Sequence, residues 1–398
     1  MMKFIPIEEP LRPAVESTGF ALWQLGFRPF FLLASVFAAL SIGLWAVQFA
    51  GWLPRPYLSG PLWHAHEMLF GFTLAVMVGF LFTAGRNWSN RPTPTGLPLA
   101  ALALLWVAGR VLVLTPFGWA AAIVNAAFPL AAAAALAVAF WAARNRRNYF
   151  FVGLLVLMSA TDLGVHLSQL GVLGLPAWLG VQIALDMVLF IMAVMAGRVI
   201  PMFTNNGVPG AGATRHAVIE KAALGSVLAL LAADLLGVHG LVLAAVALFG
   251  ALAHGLRWAL WRPWKTWRVP IVWVLHLAYA WIPLHLALRA GAELGWIGSS
   301  AATHALTVGA AGGLVIGMMT RTSRGHTARP LRADGYDIAC YVLVALAAIV
   351  RVLVPLAVPA WSLQAILGSA GLWSAGFGLF ALRYWPVLTR PRLDGQPG

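Results

Sequence analysis

The sequence contains a single cysteine, Cys340, and this scarcity excludes several kinds of site. A disulfide within the chain, an iron–sulfur cluster held by thiolates and a multi-cysteine zinc site all need two or more thiols. Any metal that this chain binds must therefore use imidazole, carboxylate or thioether ligands.

Charge is the second scarce property. Charged residues make up 10% of the 398 residues, and hydrophobic residues make up 61%. A soluble chain carries roughly 25% charged residues, so this composition is typical of an integral membrane protein. The formal net charge is +14, but the basic residues are scattered between hydrophobic stretches. We therefore expect membrane lipid around this chain and no nucleic acid partner.

Hydrophobic stretches of about 20 residues, the length that crosses a bilayer, recur along the whole chain. We predict an all-α polytopic integral membrane protein with about 12 transmembrane helices. A cytoplasmic N-terminal segment (1–27), one membrane domain (28–385) and a cytoplasmic tail (386–398) follow from the positions of these stretches. The predicted spans lie near residues 30–51, 62–84, 97–115, 118–142, 149–172, 176–200, 217–237, 240–262, 269–291, 301–320, 336–356 and 361–385.

The basic residues predict the orientation. All but four of the 26 lysines and arginines fall on one side of this topology, the side that the positive-inside rule assigns to the cytoplasm. Both termini are therefore predicted to be cytoplasmic, and the even-numbered spans start at the outer surface. The four exceptions are Arg55, Arg110, Arg289 and Arg351.

The second span begins with three polar residues, His64, His66 and Glu67. Polar side chains inside a membrane are costly and commonly functional. With ~1.5 Å of rise per residue, the topology places His166 and His304 in the same outer third of the membrane. We interpret these four histidines as candidate metal ligands. A lone intramembrane histidine also commonly bonds a neighbouring helix, and this alternative stays open for His254 and His285.

Helical phase limits which side chains can share an ion. His64 and His66 are about 200° apart on a regular helix and cannot both bind one ion from it. Glu67 faces the same side as His64. Asp162 precedes His166 by four residues, a spacing at which a carboxylate can accept the second ring N–H of a ligating histidine.

A thinner group of histidines lies toward the cytoplasm. His276 is about two turns into the ninth span, and His326 lies in the basic loop after the tenth. Tyr279 shares a helix face with His276 and is a candidate to support it. A second metal held by His276 and His326 is the corresponding hypothesis.

Imidazole ligands favour iron, copper and zinc. Haem needs one or two axial histidines in an apolar slot, with cations to hold its propionates. The four exceptional arginines, Arg55, Arg110, Arg289 and Arg351, are candidate propionate partners. Two intramembrane acids, Asp186 and Asp234, are either part of a proton path or partners of Arg110 and Arg351, and the sequence does not choose between these roles.

Several stretches together resemble the NnrS family of polytopic membrane proteins. They run from residue 26 to about residue 332: Gly26-Phe-Arg-Pro-Phe-Phe31, Trp63-His-Ala-His-Glu-Met-Leu-Phe-Gly-Phe72, Gly79-Phe-Leu-Phe-Thr-Ala84, Gly197-Arg-Val-Ile-Pro-Met-Phe-Thr204, His276-Leu-Ala-Tyr-Ala-Trp281, His304-Ala-Leu-Thr-Val-Gly-Ala310, Met318-Met-Thr-Arg321 and Gly325-His-Thr327. The resemblance implies a haem- and copper-containing protein of the bacterial inner membrane, associated with nitric oxide, nitrosative stress and denitrification. The family's motif histidines correspond here to His64, His66, His166, His276, His304 and His326.

The residues and the resemblance together lead to one expectation and two alternatives. We expect haem b and copper held by intramembrane histidines, nitric oxide or a related small molecule as ligand, and a redox partner. Such a protein acts in nitric oxide response or detoxification, whether or not it turns nitric oxide over as an oxidoreductase. The alternatives are a copper or haem transporter or delivery protein, and a non-catalytic haem-based sensor or assembly factor.

Overall fold

A computed structural model describes residues 19–49, 51–52 and 56–396. In these ranges the chain forms helices and no strand. Twelve long helical segments coincide with the twelve predicted stretches, which confirms the prediction of an all-α polytopic membrane protein. They are α1 (Phe27–Phe49), α2 (Gly60–Ser89), α3 (Gly96–Leu112), α4 (Gly118–Ala142), α5 (Tyr149–Gln169), α6 (Ala177–Gly207), α7 (Ala217–Leu235), α8 (Leu241–Leu260), α9 (Pro270–Glu293), α10 (Ser299–Gly325), α11 (Gly335–Ala357) and α12 (Ser362–Thr389).

Ten helices of the described part are long and apolar enough to cross a membrane. The two outside this group are α3, which is apolar but has 17 residues, and α7, which carries Glu220, Lys221 and Asp234. The chain is therefore a multi-pass membrane protein, while the exact number of crossings and the side of each terminus stay predictions.

Helices that are neighbours in sequence pack against each other, and α1 also packs against α12, which brings the two ends of the chain together. Small residues make the closest approaches. Gly309, Gly313 and Gly317 recur every four residues on α10 and face α9: a methyl group at Gly313 would lie 2.6 Å from the Ala278 side chain, and one at Gly309 would overlap Trp281. This small-residue ridge therefore lets α9 and α10 approach closely.

Two helices contain a π-helical segment, and both segments begin directly after a histidine. Glu67–Thr73 follows His66 in α2, and Ala305–Gly312 follows His304 in α10. Both spans form the continuous helices that the sequence predicts, but the π-helical segments inside them were not predicted. Because a π turn holds more residues than an α turn, it widens the helix and shifts the phase of the side chains beyond it, and such segments are frequent at functional sites.

Candidate functional site

A buried group of three side chains lies toward the end of the helical bundle that the basic residues predict to be the outer one. His66 comes from α2, Asp162 and His166 come from α5, and none of the three is more than 1% exposed. Asp162 Oδ1 is 2.8 Å from His66 Nε2 and 3.6 Å from His166 Nε2. Their potential ligand atoms all lie within 4.8 Å of one another, and no other group of three or more such donors occurs in the described part of the chain. We call these three residues the outer triad.

Asp162 is engaged differently from the sequence prediction. The four-residue spacing pointed to a bond from Asp162 to His166 of the same helix. The carboxylate instead makes its shorter contact with His66 of another helix, because the fold brings α2 and α5 side chains together there. Asp162 is therefore a member of the outer triad rather than a support behind it.

Glu67 and Arg110 form the layer behind His66. Glu67 Oε1 lies 2.8 Å from His66 Nδ1, and Arg110 Nη1 lies 3.1 Å from the same oxygen. Arg110 also donates a hydrogen bond to Asn125 Oδ1 on α4. A carboxylate on the second ring nitrogen fixes the orientation of a histidine and leaves the other nitrogen for a metal. Glu67 thus supports His66, although helical phase placed it on the same face as His64, and Arg110 neutralises Glu67 rather than standing free for a propionate.

The close approach of Arg110 depends on a glycine. A methyl group at Gly71 would overlap Arg110 Nη1, and the Gly71 carbonyl accepts a hydrogen bond of 3.0 Å from Trp106 Nε1. Gly71 lies inside the π-helical segment of α2. The segment therefore admits the arginine that balances the charge of Glu67.

Tyr57 closes the other side of the triad. Its hydroxyl donates a hydrogen bond of 3.1 Å to the His166 carbonyl, so His166 Nδ1–H donates to the Tyr57 oxygen at 3.3 Å. Burial and the neighbouring Asp162 raise the pKa of Tyr57 to about 12, which keeps the phenol neutral. With its proton on Nδ1, His166 directs the lone pair of Nε2 at the triad, and this buried nitrogen has no hydrogen-bond partner.

A cavity of about 660 Å³ lies on the other side of α2. His64 and His304 line it, together with apolar side chains that include Leu69, Phe72, Trp178 and Trp373. Both π-helical segments contribute to its wall. We call this space the outer cavity.

The two histidines of the outer cavity each retain a free ring nitrogen. His64 Nδ1 is buried without a hydrogen-bond partner. His304 Nδ1 is 2.7 Å from the Ser300 carbonyl, to which it donates, so Nε2 carries the lone pair. Arg351 also lines the cavity and donates a hydrogen bond of 3.1 Å to Ser300 Oγ. His64 and His66, two residues apart, therefore serve different spaces.

Of the four exceptional arginines, Arg351 is the one that the described residues place at the outer cavity. Arg289 is held between Asp186, at 3.2 Å, and Asp234, at 2.5 Å. The two aspartates are thus partners of Arg289, not of Arg110 or Arg351 as one alternative had it. Arg55 lies outside the described residues.

The inner histidines contact different neighbours from each other. His276 Nε2–H donates to Thr204 Oγ1 at 2.7 Å, and His276 Nδ1 is buried without a partner. The His326 ring packs against Phe27 with ring centroids 5.7 Å apart. Burial and the positive charges of Arg392, Arg28 and Arg86 lower the pKa of His326 to about 4. A metal shared by His276 and His326 stays a prediction.

Tyr279 does not support His276 as predicted. Its hydroxyl donates to His254 Nδ1 at 2.6 Å and accepts a hydrogen bond of 3.1 Å from Arg257 Nη1. His254 Nε2–H donates to the Ala223 carbonyl at 3.0 Å, so both ring nitrogens are occupied. Arg257 also binds Glu220 through two hydrogen bonds of 2.9 and 2.6 Å. The structure thus shows His254 in hydrogen bonds to neighbouring helices, which is the alternative that stayed open for it. The three-residue spacing of His254 and Arg257, which puts both on one helix face, was the sequence signal for this network.

The family model described as NnrS protein matches residues 21–392, which is nearly the whole chain. No curated protein matches the sequence. The chain therefore belongs to the NnrS family.

Proposed function

We propose that this protein binds haem and a second metal, copper, at the outer side of the bacterial inner membrane and uses them to respond to or remove nitric oxide. Membership in the NnrS family supports a membrane protein of the nitric oxide response. The observation that carries the proposal is the unpartnered, buried Nε2 of His166, which faces His66 and Asp162. A buried polar atom without a partner is rare in native proteins and calls for a ligand or a bound ion.

The outer cavity fits haem. Its walls are mainly apolar, His64 and His304 each offer a free ring nitrogen, and Arg351 supplies a positive charge for a propionate. One cysteine is too few for the covalent attachment of a c-type haem, which favours haem b. When bound there, haem would supply an iron for one-electron chemistry and for binding a diatomic ligand. The chain's own part would be to offer His64 and His304 as ligands and to exclude water with Leu69, Phe72 and Trp373.

The outer triad fits a divalent transition metal. It offers two imidazole nitrogens and one carboxylate oxygen, a donor set that suits copper, iron or zinc. His66 now has a carboxylate oxygen at 2.8 Å from each ring nitrogen. Its Nε2 proton must therefore leave before a metal can bind, and metal affinity is expected to fall as the pH falls.

The test is the optical spectrum and metal content of the purified protein and of single variants. His64→Ala and His304→Ala are expected to lose or shift the haem spectrum and to keep the second metal. His66→Ala is expected to lose the second metal and to keep haem. His239→Ala, at a side chain 74% exposed, is the matched control and should change neither.

Absence of haem from wild-type protein made with an adequate haem supply would overturn the haem part of the proposal. Full metal content in His66→Ala would overturn the assignment of the outer triad. Consumption of nitric oxide by the wild type with a reductant would identify an oxidoreductase, whereas binding without consumption would identify a sensor.

A further inference from the structure

Two buried carboxyl groups share one arginine beside the outer cavity. Asp186 on α6 and Asp234 on α7 are 1% and 6% exposed, and Arg289 on α9 lies between them. Arg289 Nη2 is 2.5 and 2.6 Å from the two oxygens of Asp234, and Nη1 is 3.2 Å from Asp186 Oδ1. The one guanidinium of Arg289 therefore holds the carboxyl groups of Asp186 and Asp234 side by side.

The charges of this group do not balance if both acids are ionised. Two carboxylates and one guanidinium leave one negative charge in a buried place, where an uncompensated charge is costly. A proton held between two neighbouring carboxyl groups removes this charge and lets one oxygen donate to the other, whereas two ionised carboxylates are acceptors only. Asp186 Oδ2 is buried and has no other hydrogen-bond donor, so it is the atom that such a proton would satisfy.

Other titratable groups near the pair form no ion pair with it among the residues that the structure describes. His285, one turn before Arg289, donates from Nδ1 to the Ala302 carbonyl at 2.8 Å, and its Nε2 is buried without a hydrogen-bond partner. Glu293, one turn after Arg289, accepts from the Gly240 amide at 3.1 Å and lies 3.7 Å from His239. Neither is placed to balance the second aspartate, while Glu293 and His239 lie at the outer ends of their segments.

One glutamine joins the pair to the outer cavity. Gln182 lies one helical turn before Asp186, donates from Nε2 to Asp186 Oδ1 at 3.1 Å, and lines the cavity. A single side chain, that of Gln182, therefore separates the carboxyl pair from the cavity.

We propose that Asp186 and Asp234 share one proton and deliver it to the outer cavity. On delivery, the O–H bond of the pair breaks, the proton moves past Gln182 to a ligand in the cavity that an external one-electron donor reduces, and two carboxylates remain on Arg289. A proton from water at the outer surface restores the pair by way of Asp234, which lies one residue before the outer end of α7. The sharing of the proton stands on these contacts alone, whereas its delivery rests on the haem proposed for the cavity.

The first experiment is infrared spectroscopy of the purified protein in H₂O and D₂O at neutral pH. A shared proton gives a carboxylic acid C=O stretch that shifts on deuteration. The band is expected to disappear in Asp186→Asn and equally in Asp234→Asn, because the remaining carboxylate then pairs one to one with Arg289. Glu220→Gln is the matched control, since Glu220 already pairs with a single arginine, and it should keep the band.

Absence of the band from wild-type protein would overturn the shared proton, and this measurement stands even where a variant fails to fold. Loss of the band in one aspartate variant alone would overturn sharing in favour of one protonated residue. The second experiment is the infrared difference between oxidised and reduced protein. The acid band is expected to change on reduction in the wild type and not in Gln182→Leu.

An acid band that ignores reduction in haem-loaded wild type would overturn delivery while leaving the shared proton intact. If the wild-type protein contains no haem, the proposed function is overturned rather than the shared proton. The optical spectrum shows directly whether haem is present.

Discussion

Two buried arginines in this protein pack in the same way, each against a glycine and paired with a glutamate. The histidines beyond them differ in the ring nitrogens that they have left to bind a ligand. Arg110 packs against Gly71 and pairs with Glu67 in the half predicted to be outer, and we call this group and His66 the outer network. Arg257 packs against Gly197 and pairs with Glu220 in the half predicted to be inner, and we call this group, Tyr279 and His254 the inner network. A methyl group at either glycine would overlap the guanidinium. Each pair leads on to a buried histidine.

The difference lies in what those histidines have left to bind. In the inner network, His254 uses one nitrogen for Tyr279 and the other for a backbone carbonyl. In the outer network, His66 and Asp162 lead to His166, whose Nε2 has no partner. Leaving a buried polar atom unsatisfied costs about 1–3 kcal/mol, and a bound ion would recover it. The inner network therefore uses both ring nitrogens of its histidine within the protein, whereas the outer one keeps a donor atom for the metal that we propose.

The largest expected effect is on the inner network. Arg257→Met removes a cation that is 1% exposed and leaves Glu220, Tyr279 and the Ala193 carbonyl without their donor. Breaking one side of a buried pair costs about 3–5 kcal/mol. We expect a clear fall in the thermal unfolding temperature in detergent, with the metal content per folded protein unchanged.

Arg147→Met, at an exposed arginine, is the control and should unfold like the wild type. If Arg257→Met lost the metal while keeping its stability, the inner network would be part of the binding site and the comparison would fail.

The second largest expected effect is on the metal affinity of the outer network. Glu67→Gln keeps the shape of the side chain but removes the carboxylate that orients His66 and pairs with Arg110. Loss of such a supporting carboxylate typically weakens metal binding by about 10–100-fold. Competition with a chelator measures this change directly.

Glu220→Gln makes the same chemical change in the inner network. It should lower stability and leave metal affinity as in the wild type. Equal losses of metal affinity in the two variants would show that the inner and outer glutamates do not differ as the hydrogen bonds indicate.

The helices were predictable because bilayer thickness fixes the length of an apolar stretch, and each of the twelve stretches has this length. Depth from the same count placed His64, His66, His166 and His304 in one outer layer. Depth does not tell which way a side chain faces around the helical bundle, however. It therefore did not separate the histidines of the outer cavity from those of the outer triad. The separation follows from helix packing.

The carboxylate partners were the least predictable part of the site. Spacing within one helix assigned Asp162 to His166 and Tyr279 to His276. Asp162 instead makes its shorter contact with His66 of another helix, and Tyr279 bonds His254 of another helix. The π-helical segments after His66 and His304 were hidden for a related reason. Hydropathy is nearly uniform along a buried membrane helix, so an inserted residue leaves no break in the pattern.

The smallest expected effect comes from Tyr57, the one neutral support of the outer triad. Tyr57→Phe removes the hydroxyl that binds the His166 carbonyl and accepts from its Nδ1. A neutral hydrogen bond contributes about 0.5–1.5 kcal/mol, so metal affinity should fall by less than about tenfold. The pKa of Tyr57 is raised to about 12, which keeps the phenol protonated in the folded protein at every ordinary assay pH. The affinity ratio of wild type to Tyr57→Phe should therefore be the same from pH 6 to pH 10, even though both affinities fall toward acid as His66 takes up its proton. A ratio that changes steeply in this range would mean that Tyr57 ionises on metal binding and acts as a ligand itself.

Tyr279→Phe, the inner counterpart, should lower stability and leave the metal in place, because its hydroxyl serves His254 and Arg257 alone among the contacts described.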